Sequence, residues 1–174
     1  ENMVDIFEKI TGDQDFFKQI AGKIPGFSGY IERENRRQAD QVLRETVADR
    51  FEELYQRISS LQADLVSSGG LIYVDDIEKA ALKVRTFIDK IRHASYGYSG
   101  FFDAVKINEE ELAAMYQYDA AMLALVDEVS RAIDNLEASL GTDGLPAAIR
   151  NLVSNAQQCL DVFNRRDEVV TQGQ

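Results

Sequence analysis

Residues 47–65, VADRFEELYQRISSLQADL, decide the fold class of this chain. Large apolar side chains recur there at steps of four and three, which places them on one stripe of an α-helix. The stripe consists of Val47, Phe51, Leu54, Ile58, Leu61 and Leu65. Ser67-Ser68-Gly69-Gly70 follows it as a helix-ending signal. We therefore predict a long amphipathic helix over about residues 31–68, which spans roughly 57 Å at the standard rise per residue.

Three later stretches repeat the pattern. A second helix is predicted from about residue 73 or 74 to Ala94, a third from the N-cap residue Asn108, and a fourth from Leu145-Pro146 to about Arg166. Their stripes are Ile77, Ala81, Val84, Ile88 and Ile91; Leu112, Met115, Met122, Val126, Val129, Ile133, Leu136 and Leu140; and Leu145, Ile149, Leu152, Ala156, Leu160 and Phe163. Short connections predict two antiparallel hairpins, first-to-second and third-to-fourth.

The predicted fold class is all-α, an elongated antiparallel bundle of four main helices with one or two short N-terminal helices. We divide the chain into short helices and an aromatic connector over 1–30, the four-helix bundle over 31–168 and a frayed tail over 169–174. Gly70-Leu71-Ile72-Tyr73 is too short to count as a strand.

Composition excludes several classes of function. The 174 residues include 19 Lys and Arg against 30 Asp and Glu, a net charge of −11, which repels nucleic acid and anionic lipid. No apolar run is long enough to span a membrane. Cys159 is the only cysteine, so an intramolecular disulfide is impossible, and a free thiol suits the cytoplasm. We predict no cofactor and no metal site.

The most unusual segment is 92–104, RHASYGYSGFFDA, which contains the only histidine. Its aromatic residues are Tyr96, Tyr98, Phe101 and Phe102. We predict that it joins the second and third helices, either as a recognition loop or as a packed corner that plugs the end of the bundle. Large apolar side chains in short connections are usually buried, so the packed corner is the favoured interpretation.

Two single residues, His93 and Asp119, are candidates for a catalytic or metal-binding role. His93 would need further ligands at helical spacing to hold a metal, and Lys90 stands where a di-iron bundle has a carboxylate, so a hydrogen-bonded or capping histidine near a helix C-terminus is favoured. Asp119 falls on the third stripe, which predicts a buried carboxylate with Arg85, Arg92 or a tyrosine hydroxyl as its partner. A slight helix rotation that exposes Asp119 and buries Tyr118 is the alternative.

The start of the first long helix holds the one basic concentration in the sequence. Arg33, Arg36 and Arg37 lie there, with Arg44 further along the same helix. They could bind a carboxylate-rich or phosphate-bearing partner. A solvated face with local ion pairs is the favoured interpretation.

Three segments resemble a family of small acidic helical proteins from prokaryotes. They are Ile24-Pro25-Gly26-Phe27-x-Gly29-Tyr30, Arg36-Arg37-x-Ala39-Asp40-x-x-Leu43-Arg44 and Tyr96-Gly97-Tyr98-Ser99-Gly100-x-Phe102-Asp103-Ala104-Val105-Lys106-Ile107. Together they cover less than a quarter of the chain. The resemblance implies no activity, cofactor or catalytic residue.

The leading hypothesis is a non-enzymatic interaction or scaffold bundle that binds another protein or its own copy. Contact candidates are Tyr96, Tyr98, Phe101, Phe102, His93, Arg33, Arg36 and Arg37, and Asp119 and Arg92 are the buried polar candidates. One alternative is a peripheral accessory of a membrane-associated complex that uses the N-terminal amphipathic segment. The other is a carboxylate-based enzyme or metal site centred on Asp119 and His93.

Overall fold

The computed structural model describes residues 36–104 and 109–172 of the chain. Four α-helices occupy most of these residues: α1 (Arg36–Ser67), α2 (Val74–Ala104), α3 (Glu109–Ser139) and α4 (Leu145–Gln172). A 3₁₀ turn, Leu71–Tyr73, lies between α1 and α2. No strand occurs in this part of the chain, so the all-α prediction is confirmed for it. The short helices predicted for 1–30 lie outside the described residues.

Two helix ends differ from the sequence prediction. Helix α2 continues to Ala104 instead of ending at Ala94, and α4 continues to Gln172. Gly97 and Gly100 suggested a break in α2, but glycine only weakens a helix, by about 1 kcal/mol relative to alanine. A proline would remove a backbone donor as well, and none occurs there. The predicted end of α1 and the start of α3 agree with the structure within one residue.

The predicted apolar stripes form the core between the helices. Every stripe residue of α1 from Val47 to Leu65 is at most 6% exposed. The largest fully buried side chains come from three helices and are Phe51, Phe87, Ile58, Ile77, Ile88, Ile91, Met122 and Ile133. Among the stripe residues whose side chains the structure describes, Leu140 is the one that is exposed, at 37%, because it lies just beyond the end of α3 in the turn to α4.

The helices surround the core in the order α1, α2, α4, α3. Each hairpin is antiparallel, as predicted, whereas α2 and α4 run parallel: Lys83 hydrogen-bonds to Gln157 and Lys90 to Asn164, at equal steps along both helices. Both hairpin turns therefore lie at one end of the bundle, which we call the hairpin end. We call the opposite end, where α1 and α3 begin and α2 and α4 finish, the open end.

Candidate functional site

The contact segments predicted from sequence come together at the open end. Helices α1 and α2 are antiparallel and contain 32 and 31 residues, so the start of α1 at Arg36 and the end of α2 at Ala104 share that end. The basic start of α1 and the aromatic segment of α2 thus lie at the same level of the bundle axis, on adjacent helices. Sequence alone predicted each segment but could not establish this adjacency.

The aromatic segment 92–104 is helical, so the prediction that it forms a loop between two helices is wrong. It forms the C-terminal part of α2. Tyr98 shares a helix face with Phe101 and Phe102, because residues three and four apart are neighbours on a helix surface. The side chains of Tyr96, Tyr98, Phe101 and Phe102 lie outside the described residues. The packed-corner interpretation therefore stays a prediction for them.

His93 is exposed and lies on α2 well before its end. Its Nδ1 is 2.7 Å from the carbonyl oxygen of Asp89, one turn earlier. A carbonyl oxygen only accepts hydrogen bonds, so Nδ1 is the donor. The predicted hydrogen-bonded histidine is confirmed, but its position near a helix C-terminus is wrong because α2 continues to Ala104. Among the described residues, no group of three possible metal ligands occurs.

Arg92 is not the buried residue that the sequence suggested. Its side chain is 46% exposed and lies 3.2 Å from Asp49 and 3.5 Å from Glu52, both on α1. Arg92 is exposed because it follows Ile91, a core residue, and successive helix positions turn by about 100°. The side chain of Asp119 lies outside the described residues, so its predicted burial stays a prediction.

Glu52 is the centre of a polar cluster between α1 and α2. Arg85 donates two hydrogen bonds to its carboxylate, at 3.0 and 2.6 Å. The Arg85 guanidinium also lies 4.2 Å from the centre of the Tyr55 ring. The hydrogen bonding and charge of Arg85 lower the pKa of Glu52, and Glu52 raises the pKa of Arg85. Because each charge is compensated, this cluster links α1 to α2 and offers no activated group.

Arg57 makes the corresponding connection between α1 and α3. Its guanidinium donates to Asp134 at 2.5 Å, to Ser130 at 3.2 Å and to Glu137 at 3.4 Å. The hydrogen bond to Asp134, followed by that to Glu137, raises the pKa of Arg57 above its ordinary range. This cluster also has a structural role, because three acceptors on α3 bind the single cation of Arg57.

The basic start of α1 is not uniformly a solvated face. Arg44 is only 4% exposed, because it lies three residues before Val47 and continues the buried stripe. The favoured interpretation of a solvated face is therefore wrong at this position. Arg36 and Arg37 lie in the first turn of α1, but their side chains, like Arg33 as a whole, lie outside the described residues.

The thiol of Cys159 is buried on α4. Burial raises the pKa of Cys159 to about 12. Its Sγ lies 3.2 Å from the carbonyl oxygen of Asn155 as a hydrogen-bond donor. A thiol with so high a pKa carries almost no thiolate at neutral pH and is a poor nucleophile. Cys159 is therefore a core residue, because it lies three residues after Ala156 and four before Phe163, which are buried on the same face of α4.

Sequence reasoning missed an exposed apolar surface at the hairpin end. Leu71 and Ile72, in the 3₁₀ turn, are 64% and 79% exposed, and Val66 at the end of α1 is 52% exposed. The signal was present as two large aliphatic residues directly after Gly69-Gly70. Residues 70–73 are too short for a strand, and apolar periodicity alone does not identify an exposed turn.

Comparisons with known proteins add no identification. No model of a protein family, no curated protein and no solved structure matches the chain. Within residues 36–104 and 109–172, no helix combines the length and the apolar character needed to cross a membrane.

Proposed function

We propose that this protein is a non-enzymatic interaction bundle, an adaptor or scaffold that binds a protein partner at its open end. The observation that carries the proposal is the adjacency of the basic start of α1 and the aromatic end of α2 at that end. Arginine and tyrosine are enriched among the residues that dominate binding energy at protein interfaces. Arg36, Tyr96 and Tyr98 are the residues we assign to the contact.

The charge clusters between the helices support a scaffold. Glu52 with Arg85 ties α1 to α2, and Arg57 with Asp134 ties α1 to α3. Such connections favour a bundle of fixed register, which presents its ends in a constant arrangement. The proposal includes a reducing compartment such as the cytoplasm, because Cys159 is a free buried thiol.

Site-specific photocrosslinking in the native host tests the proposal. Benzoylphenylalanine replaces Tyr98 in the full chain, and a matched variant carries it at Glu53, an exposed position in the middle of α1. We expect a discrete crosslinked product with a second protein from position 98 and none from position 53. Adding Arg36→Ala and Tyr96→Ala to the Tyr98 variant should abolish that product while the helical circular dichroism is unchanged.

Three results would contradict the proposal. Position 98 could give no product, or the same products as position 53. The product could also persist in the variant that carries Arg36→Ala and Tyr96→Ala. A crosslink solely to a second copy of the chain would show that the open end self-associates and does not bind another protein.

A further inference from the structure

The hairpin end carries a second surface, formed by Val66, Leu71, Ile72 and Leu140. We call it the hairpin-tip surface. Its members are between 37% and 79% exposed, and they are four of the five exposed large hydrophobic residues in the described part of the chain. All four belong to the last turn of a helix or to the connection that follows it. Exposed large apolar side chains are therefore more frequent at this end of the bundle than on its described sides.

The fold itself exposes Leu71 and Ile72. Gly69 has a φ of +86°, and the N–H of Gly70 donates to the carbonyl oxygen of Leu65 at 2.8 Å, which closes α1 in a Schellman-type cap. The N–H of Tyr73 then donates to Gly70 at 3.0 Å, and Tyr73 packs against the core.

Because the backbone is held at Gly70 and at Tyr73, the side chains of Leu71 and Ile72 between them face solvent. A contact surface that is already ordered loses little conformational freedom on binding.

Carboxylates are frequent in the stretches of chain that form the hairpin end. They are Asp64, Asp75, Asp76, Glu78 and Asp143, all on exposed residues. Lys79 is the only Lys or Arg in the stretches 64–79 and 140–144, and it is ion-paired with Asp76 at 3.2 Å. Acidic residues therefore outnumber basic ones by five to one in these two stretches.

The apolar side chains and the acidic residues at this end together indicate which kind of partner can bind there. A second copy would bring another acidic rim against this one, and like charges facing each other across an interface are unfavourable. An anionic membrane would be repelled in the same way. A partner with an apolar stripe flanked by Lys or Arg is complementary in both respects, and a described surface built of helix ends and turns offers no strand edge for an extended peptide.

We propose that the hairpin-tip surface docks a basic amphipathic helix of another protein. Its aliphatic residues cover Leu71 and Ile72, and its Lys or Arg side chains meet Asp64 and Asp143. This site lies at the opposite end of the bundle from the proposed open-end contact. Either site can fail without affecting the other, and together they would make the bundle a spacer between two partners.

A tryptophan-labelled peptide tests the proposal, because the protein contains no Trp and peptide fluorescence is free of background. The probe is an amphipathic Leu/Lys helix of about 18 residues, or five turns, with one Trp on its apolar face. A Leu/Glu peptide of the same pattern is the matched control. We expect saturable binding of the Leu/Lys peptide to the full chain, weakened by salt, and no binding of the Leu/Glu peptide.

Two pairs of variants locate the site. Leu71→Ser with Ile72→Ser should weaken binding roughly tenfold or more. Leu82→Ser, at a 57% exposed position on the side of α2, should leave it unchanged. Asp64→Asn with Asp143→Asn should also weaken binding, whereas Asp89→Asn, exposed on α2, should not. All substituted residues are exposed, and unfolding by urea checks that the variants remain folded.

Four outcomes would overturn the proposal. They are absence of saturable binding, equal affinity of the Leu71→Ser, Ile72→Ser variant, equal binding of the Leu/Glu peptide, and equal weakening by Leu82→Ser. Sedimentation gives two more. A dimer of the wild-type chain that the double variant abolishes would assign the surface to a second copy. Cosedimentation with phosphatidylcholine/phosphatidylglycerol vesicles, lost in the double variant, would assign it to lipid.

Discussion

The rings of Phe51 and Phe87 meet edge to face between α1 and α2, with centroids 4.6 Å apart and planes at 69°. Neither side chain is exposed. Phe87→Ala should lower the free energy of unfolding by about 3–5 kcal/mol, because it leaves a cavity and removes the ring contact. Urea unfolding followed by circular dichroism measures the change. Leu82→Ala, exposed on the same helix, should change it by less than about 0.5 kcal/mol.

Glu52 should make stability depend on acidity. The hydrogen bonds and charge of Arg85 hold the pKa of Glu52 below its ordinary value of 4.5. A lowered folded pKa means that the contribution is fully present above the unfolded pKa and is lost as pH falls through the folded one.

Glu52→Gln should therefore lower the free energy of unfolding at neutral pH, by up to about 1 kcal/mol for this partly exposed pair. The difference from wild type should shrink as the pH falls below the ordinary Glu value of 4.5 and through the lowered folded pKa. Glu53→Gln, at the exposed neighbouring position, is the control. A difference that is constant with pH would contradict the assigned role of the carboxylate.

Arg57 and Asp134 should be energetically coupled. Arg57→Ala and Asp134→Ala each remove one side of a 2.5 Å contact, so the double variant should lose less than the sum of the single losses. Arg57 is 34% and Asp134 62% exposed, and exposed pairs of this kind contribute about 0.2–1 kcal/mol. A double-mutant cycle by urea unfolding measures the coupling. Additive losses would mean that the contact contributes nothing to stability.

The fold was largely predictable because each helix follows a single period of apolar residues. The stripe from Val47 to Leu65 predicted both the helix and its buried face. The end of α2 was not predictable, because Gly97 and Gly100 indicate weakness in a helix without specifying where the chain leaves it. The order α1, α2, α4, α3 also depends on tertiary packing, which a local period does not encode.

The site was predictable only in part. The basic and aromatic segments were identifiable by composition, but their adjacency required the antiparallel register of α1 and α2. The pairing of Glu52 with Arg85 joins residues 33 positions apart, and no local pattern connects them. Exposure of Leu71 and Ile72 depends on the glycine turn before them and on the anchoring of Tyr73 after them.

Cys159 should report global unfolding. Burial raises the pKa of its thiol to about 12, so the native protein should react very slowly with Ellman's reagent at about pH 8. In concentrated urea the chain is unfolded, and the exposed thiol of Cys159 should react with the reagent at once. At intermediate urea concentrations the labelling rate should follow the unfolded fraction measured by circular dichroism. Rapid labelling of the native chain would contradict the burial of the side chain.

Gly97 and Gly100 test the extension of α2 to Ala104. If both lie in a helix, Gly97→Ala and Gly100→Ala should each stabilise the protein by up to about 1 kcal/mol, because alanine favours helix and restricts the unfolded chain. The matched control is Gly69→Ala, at φ +86°, which should destabilise because alanine is strained in the left-handed region. Thermal and urea unfolding compare the three variants. Destabilisation by Gly97→Ala or Gly100→Ala would show that a loop conformation at these positions, as the sequence first suggested, requires glycine.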